Sequence, residues 1–242
     1  MSATPEISVV VPVCNEVENV GPLAQEIATA LAGREFEVLF VDDGSTDQTA
    51  AAVISARASI PQLRLLRHSV RSGQSAAVTT GVRNARAEWI GTLDGDGQND
   101  PADLPKLMAA RLDPANANVV LFQGHRTTRK DTGFRRFQSR IANGVRARLL
   151  GDGTPDTGCG IKVMRRTSFL DLPNFDHMHR FLPALFQRAG GRVISVPVNH
   201  RPRARGTSKY GMLDRLWVGI VDIFGVMWLR RRFKSGLPVR EE

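Results

Sequence analysis

An α/β domain with a mainly parallel central sheet and helices on both faces is predicted by two observations. Short runs of Val, Ile and Leu alternate with segments whose apolar residues recur every three or four positions. Three of those runs end in polar clusters, where an open α/β sheet places its ligands. The runs Ile7–Val13, Phe36–Val41, Leu63–Leu66, Trp89–Leu93 and Val119–Phe122 have the composition of strands buried on both faces. Val17, Val20, Leu23, Ile27 and Leu31 mark a first helix stopped by Gly33. Ser45 or Thr46 is the expected cap of a second helix through Ile54, and Gly73 precedes an Ala-rich third through Ala87. Further on, a basic helix is expected over Arg135–Leu150, then the loop GDGTPDTGCG, a strand at Ile161–Met164, a helix near Phe181–Ala189 and a strand at Val193–Val198. There is no internal repeat or linker, so the simplest organisation is one domain over residues 1–211 and a basic C-terminal segment over 212–242.

The 242 residues carry 33 Lys and Arg against 24 Asp and Glu, a net charge of +9, which implies an anionic partner. The excess is local: residues 121–150 hold 8 basic and 1 acidic side chain and 201–242 hold 10 and 4, whereas 1–120 hold 9 and 15. Most of the basic residues are Arg, whose planar fork suits phosphate. Two distant cysteines, Cys14 and Cys159, support neither a disulfide framework nor a cysteine zinc site, and a reducing compartment is expected. The N-terminal stretch lacks the pattern of a secretion signal.

Met212–Leu229 is largely apolar and runs into RRRFK. Asp214, Arg215 and Asp222 interrupt it, which argues against a spanning helix of about 20 uncharged residues. Two readings remain: a helix packed on the protein's own core, or an amphipathic interfacial helix with Trp217, Phe224 and Trp228 at the lipid boundary and Arg230–Lys234 on anionic head groups.

The strand-end clusters are PVCNE (12–16), VDDGSTD (41–47) and LDGDGQND (93–100). In the third, Asp94, Asp96 and Gln98 alternate with Gly95 and Gly97, so oxygen-bearing side chains converge where glycines let a ligand approach. Oxygen donors favour Mg²⁺ or Mn²⁺. A metal between carboxylates and a diphosphate neutralises charge on a departing nucleotide. The chain has neither a GxxxxGK[ST] loop nor a GxGxxG after a strand, so ATPase and dinucleotide readings fall away and a nucleotide-sugar site stands. His177 and His179 form an HxH pair without an evident third ligand, which favours a packing role. Lys162 is either a phosphate contact or a solvated lysine, Cys14 a small buried side chain, and Arg71, Gly73 and Gln74 are further loop candidates.

These three clusters, in this order, resemble family 2 of the inverting glycosyltransferases with the GT-A fold, a Rossmann-like sheet. GHR (124–126), FRRFQSR (134–140), DTGCGIKVMRR (156–166), HRFLP (179–183) and HRPRARGTSKYG (200–211) are similar to dolichol-phosphate mannosyltransferases and bacterial polyprenyl-phosphate glycosyltransferases. The resemblance implies that Pro12, Val13, Glu16 and Asp43 hold the base and ribose, that Asp94 and Gly95 lie on the nucleotide sugar, and that Asp96 and Gln98 bind the metal. It also implies that Arg126, Arg135 and Ser139 grip the acceptor phosphate, and that Arg203 and Lys209 clamp the phosphates. The first motif departs from the family at Val13 and Cys14, where an aromatic residue is usual.

The implied reaction is metal-dependent, inverting transfer of a sugar from GDP-mannose or a UDP-sugar to a polyprenyl or dolichyl phosphate. That phosphate is ionised near neutral pH and needs no dedicated base. The expected location is peripheral, on the cytoplasmic face of an anionic membrane, with a small membrane protein as a candidate partner. Two alternatives compete. A family 2 enzyme extending a glycan leaves the Arg-rich loop and the C-terminal helix without a role. A nucleic-acid-binding protein is disfavoured by 6% aromatic residues and the lack of a reading module.

Overall fold

In the computed structural model, residues 4–127, 149–202 and 212–233 are described, the last with side chains from residue 219 onward. A seven-stranded sheet is ordered β3-β2-β1-β4-β6-β5-β7. Its strands are β1 (Ile7–Val13), β2 (Phe36–Asp42), β3 (Leu63–Arg67), β4 (Trp89–Thr92), β5 (Val119–Arg126), β6 (Lys162–Arg165) and β7 (Arg192–Val198). Only β6 runs antiparallel, between β4 and β5. The helices are α1 (Val17–Ala30), α2 (Thr49–Arg57), α3 (Gln74–Asn84), α4 (Leu104–Leu112), α5 (Arg166–Leu170), α6 (Leu182–Arg188) and α7 (Met212–Arg232).

Strand alternation sorts the core into two layers. Ile7, Val9, Val11 and Val13 of β1 face one side, packing with Val20, Leu23 and Ile27 of α1 and Leu104, Leu107 and Met108 of α4. Val10 points the other way, into a cluster with Val78 and Val82 of α3, Leu182, Leu185 and Phe186 of α6 and Val226 of α7. The predicted two-faced α/β sheet is therefore the observed one.

Local details differ for physical reasons. Ser45 and Thr46 do not cap α2, which begins at Thr49; the Thr49 amide donates to Asp47 Oδ1 at 2.9 Å, while Ser45 Oγ and the Thr46 amide bond to Asn15. The third helix stops at Asn84 and the chain turns extended at Ala85. The amides beyond that point serve the sheet instead: Arg86 N donates to Glu37 Oε1 at 2.7 Å and Ala87 N to Ser8 Oγ at 3.0 Å. Helix α4 follows an Asp-Pro start: Asp100 accepts from Ala102 N and caps the 3₁₀ turn Pro101–Asp103 that leads into it. Of the basic helix expected over Arg135–Leu150, residues 149–150 are helical and the rest lies outside the described residues.

Helix α7 packs one face on the core, as the first reading of its segment expects, and leaves another face exposed; Trp217 lies outside the residues whose side chains are described. Val226 is fully buried and Ile223 and Met227 pack beside it, whereas Ile220, Val221, Phe224 and Trp228 are exposed. Burying Val226 is worth roughly 1.5–3 kcal/mol. Arg188 of α6 adds a hydrogen bond from Nε to the Leu229 carbonyl at 2.9 Å and lies 4.5 Å from the Phe233 ring centroid. Among the described residues no helix is long and apolar enough to cross a membrane.

Candidate active site

The loops after β1, β2 and β4 meet beyond the carboxyl ends of these neighbouring parallel strands. Asn15, at φ 53°, stitches the first two: its amide donates to Ser45 Oγ at 2.8 Å and its Oδ1 accepts from Thr46 N at 2.8 Å. Glu16 follows, with its amide on Thr49 Oγ1 at 2.8 Å and its Oε2 accepting from Asn19 Nδ2 at 2.6 Å. The third loop is pressed onto the first at Gly95, where a Cβ would stand 2.7 Å from Val13 Cγ1 and 2.8 Å from the Pro12 carbonyl. Glycine is what permits that approach.

Asp43 organises a fourth loop. Its Oδ1 lies 2.8 Å from His68 Nδ1 and accepts from Ser72 N at 2.8 Å, and its Oδ2 accepts from Gly73 N at 2.8 Å. Burial opposes its ionisation, but these hydrogen bonds and the His68 ring outweigh it and hold the carboxyl below the usual range. The 70–73 loop so anchored leads into Gln74, whose Nε2 donates to Asp94 Oδ1 at 2.9 Å.

Asp94 stands at the centre. Its amide donates to Asn99 Oδ1 at 2.8 Å, and Gly160 closes against it, where a Cβ would overlap Asp94 Oδ2 and Asn99 Oδ1. Burial and the neighbouring Asp96 carboxylate push its pKa up, against the pull of Lys162, Gln74 and Arg126. Asp96 Oδ1 accepts from the Gln98 amide at 3.1 Å. The chain leading toward the predicted phosphate clamp runs beside this loop. Arg201 N donates to the Gln98 carbonyl at 3.0 Å, and the Arg201 guanidinium reaches Asp100 Oδ1 and Glu26 Oε2, each at 2.6 Å.

Arg126, at the end of β5, is held by Asp156 through Nε–Oδ2 and Nη2–Oδ1 contacts of 2.7 and 2.8 Å. Lys162 is buried and donates to the Cys159 carbonyl; burial pulls its pKa down although Cys159, Asp94 and Asp156 favour its charge. It is therefore not the solvated lysine considered above, and Cys14, expected to be buried, is partly exposed. Among the described residues neither histidine of the HxH pair joins a metal cluster: His179 Nδ1 is 2.7 Å from Ser75 Oγ, and His177 Nδ1 is 3.1 Å from Asp222 Oδ2.

Pro12, Val13, Glu16, Asp43, Asp94, Gly95, Asp96, Gln98 and Arg126 thus belong to this set of strand-end loops, whereas Arg135, Ser139, Arg203 and Lys209 lie outside the described residues. Sequence reasoning gave no role to Asn15, Asn99 or Asp156. Asn15 and Asp156 hydrogen-bond other segments and Asn99 closes its own loop onto the Asp94 amide; all three lie inside quoted motifs, but nothing in the motifs told these holding contacts apart.

The donor set suits a hard cation. Among the described residues no three His, Cys, Asp or Glu side chains form a metal group, but the Asp96 carboxylate acts on Asp94, whose ionisation it opposes, and Gln98 is a further oxygen-bearing residue of the same loop.

Residues 8–172 match the family described as Glycosyl transferase family 2. The chain is 36% identical over 235 residues to the dodecaprenyl-phosphate galacturonate synthase of Rhizobium johnstonii, covering 93% of this chain and 68% of that protein. It is 31% identical over 211 residues to the undecaprenyl-phosphate 4-deoxy-4-formamido-L-arabinose transferase of Edwardsiella ictaluri, covering 86% and 63%. The chain thus spans about two thirds of these relatives' lengths. In fold it is similar to glucosyl-3-phosphoglycerate synthase from Mycobacterium tuberculosis, solved with Mn²⁺, UDP and phosphoglyceric acid, at a TM-score of 0.72, 20% identity and coverage of 96% and 80%.

Proposed function

The chain belongs to glycosyl transferase family 2, and from that premise we propose that it transfers a sugar from a nucleotide-sugar, GDP-mannose or a UDP-sugar, to a polyprenyl phosphate. The observation that carries the reading is Asp94, held by Gln74 and Asn99 with Gly160 pressed against its carboxyl, its ionisation opposed by burial and Asp96 and favoured by Lys162 and Arg126. Support for the acceptor comes from the two relatives, both named for a polyprenyl-phosphate product or substrate.

Asp96 and Gln98 would hold Mg²⁺ or Mn²⁺, which when bound supplies charge neutralisation for the departing nucleotide. This chain's own residues do the rest. Gln74 and Asn99 orient Asp94 toward the sugar, and the Pro12–Val13 ridge, Glu16 and Asp43 border the space for base and ribose. The acceptor phosphate arrives ionised, so the site needs cationic containment instead of a general base. Arg126 contributes to it while sharing its charge with Asp156. Arg135, Ser139, Arg203 and Lys209 are assigned the remaining contacts by motif. Direct attack on the anomeric carbon then gives inversion in one displacement.

The exposed face of α7 supports a peripheral position on an anionic lipid surface. Ile220, Val221, Phe224 and Trp228 are open to solvent, and the next turn carries Arg230, Arg231 and Arg232.

The deciding experiment incubates the purified protein with polyprenyl phosphate and a panel of nucleotide sugars, with and without Mn²⁺. A lipid-linked sugar is expected from one donor. Asp96→Ala is expected to lose metal-dependent turnover by on the order of 100-fold or more, with weakened Mn²⁺ binding read by electron paramagnetic resonance. Near-normal activity of that variant, or no product from any donor, overturns the reading.

A further inference from the structure

Helix α7 carries a carboxylate in the middle of an apolar stretch, and its placement is specific. The Asp222 side chain is 17% exposed, with Oδ2 3.1 Å from His177 Nδ1. His177 adopts φ 62°, a left-handed conformation uncommon outside glycine. Its amide donates to Asp176 Oδ1 at 2.8 Å, and its Nε2 lies 3.5 Å from Asp176 Oδ2. Asp176 Oδ1 in turn sits 3.2 Å from where a Cβ on Gly73 would stand, against the residue preceding α3.

Two residues beyond His177, His179 closes on α3 as well: Nδ1 is 2.7 Å from Ser75 Oγ, and the His179 amide donates to the same oxygen at 3.3 Å. Ser75 follows Gln74, the residue that donates to Asp94 Oδ1. A short turn, 176–179, therefore joins the middle of α7 to the side chain that orients the central carboxylate. Apart from one 3₁₀ turn the segment has no regular secondary structure, and it is held by these side-chain contacts. On the same helix, Phe224 and Trp228 stand exposed at 63% and 60%.

We propose that Asp222 and His177 are positioning residues that couple the seating of α7 on an anionic lipid surface to the setting of Asp94, through the 176–179 turn, Ser75 and Gln74. The proposal rests on the membrane-facing reading of α7 and deepens it: the enzyme's donor site is set when its acceptor's surface is engaged.

The test is amide hydrogen exchange of the full chain, with and without vesicles of phosphatidylcholine and phosphatidylglycerol in equal parts. In the wild type, vesicles are expected to slow exchange severalfold across residues 72–80 and 94–99. Asp222→Ala removes the carboxylate, and His177→Gly removes the ring while keeping the left-handed backbone accessible. Both variants are expected to co-sediment with the vesicles as the wild type does and to lose the vesicle-induced protection. The proposal is overturned if either variant keeps the full protection change, if the wild type co-sediments without one, or if the wild type does not co-sediment. Sugar transfer to polyprenyl phosphate in the same vesicles is scored separately. Protection that depends on Asp222 without transfer sinks the reaction and leaves the coupling, and transfer without such protection does the reverse.

Discussion

Asp94 shows how a single residue is specified by neighbours from its own loop and from other segments of the chain. Gln74 holds its Oδ1, Asn99 holds its amide, and Gly160 leaves the room its Oδ2 occupies. Gly160→Ala is therefore expected to destabilise the protein by about 1–3 kcal/mol, as overpacking does, and to weaken donor binding beyond what the stability loss explains. Urea denaturation and nucleotide titration measure the two effects. At Asp156, replacement by Asn removes the negative charge and leaves the part-buried Arg126 guanidinium without its counter-ion. A loss of up to about 3–5 kcal/mol is expected if the pair behaves as a buried ion pair, and Asp156→Asn with Arg126→Met should recover part of it, measured by a double-mutant cycle. Motif resemblance gave roles to Asp94 and Arg126 but not to their holders: Asn99 and Asp156 lie inside the quoted motifs, yet the sequence does not tell which polar side chain of a loop bonds a backbone amide or an arginine.

At the scale of elements, periodicity was a sufficient guide wherever an element buries a regular face. Strands β1 to β5 and helix α1 stand within a few residues of the apolar runs that predict them. It was insufficient where local hydrogen bonds compete with propensity: Ser45 and Thr46 have good capping chemistry, yet Asn15 takes both, and Asp47 serves α2. Helix α4 lies behind an Asp-Pro turn signal that reads equally well as a loop. Helix α7 carries the prediction of this scale. Phe224→Asp with Trp228→Asp adds charge to the exposed face without touching Val226, so co-sedimentation with anionic vesicles should fall severalfold while the melting temperature stays near the wild-type value. An equal loss of melting temperature would mean that this face is packed and not lipid-facing.

For the whole molecule, pH reports how the buried groups are balanced. Burial, with Arg180, Lys162 and His177 nearby, lowers the His179 pKa from 6.5 to about 3. Between these values the unfolded chain binds a proton that the native state refuses, so stability falls as pH drops, by about 1.4 kcal/mol per pH unit from this residue. Asp43 and Glu37, whose native pKa values are lowered, add a further loss only as pH falls through the carboxylate range. Urea midpoints at pH 7 and pH 5 should therefore differ, and His179→Asn should reduce the difference. A pH-independent midpoint would show that His179 protonates in place.

The sequence by itself determined the two-faced α/β sheet, the acidic strand-end clusters and the family, because hydrophobic period and short motifs are local properties of the chain. It also located the basic excess in two segments outside the acidic half. Only the tertiary structure decided that Arg126 is paired, that Lys162 is buried, that Asp43 organises a loop, and that α7 has one face in the core and the other open. The reason is common to all four: each depends on which group comes within hydrogen-bonding or packing reach, and that is set by tertiary packing, as when the sheet order lays β4 beside both β1 and β6.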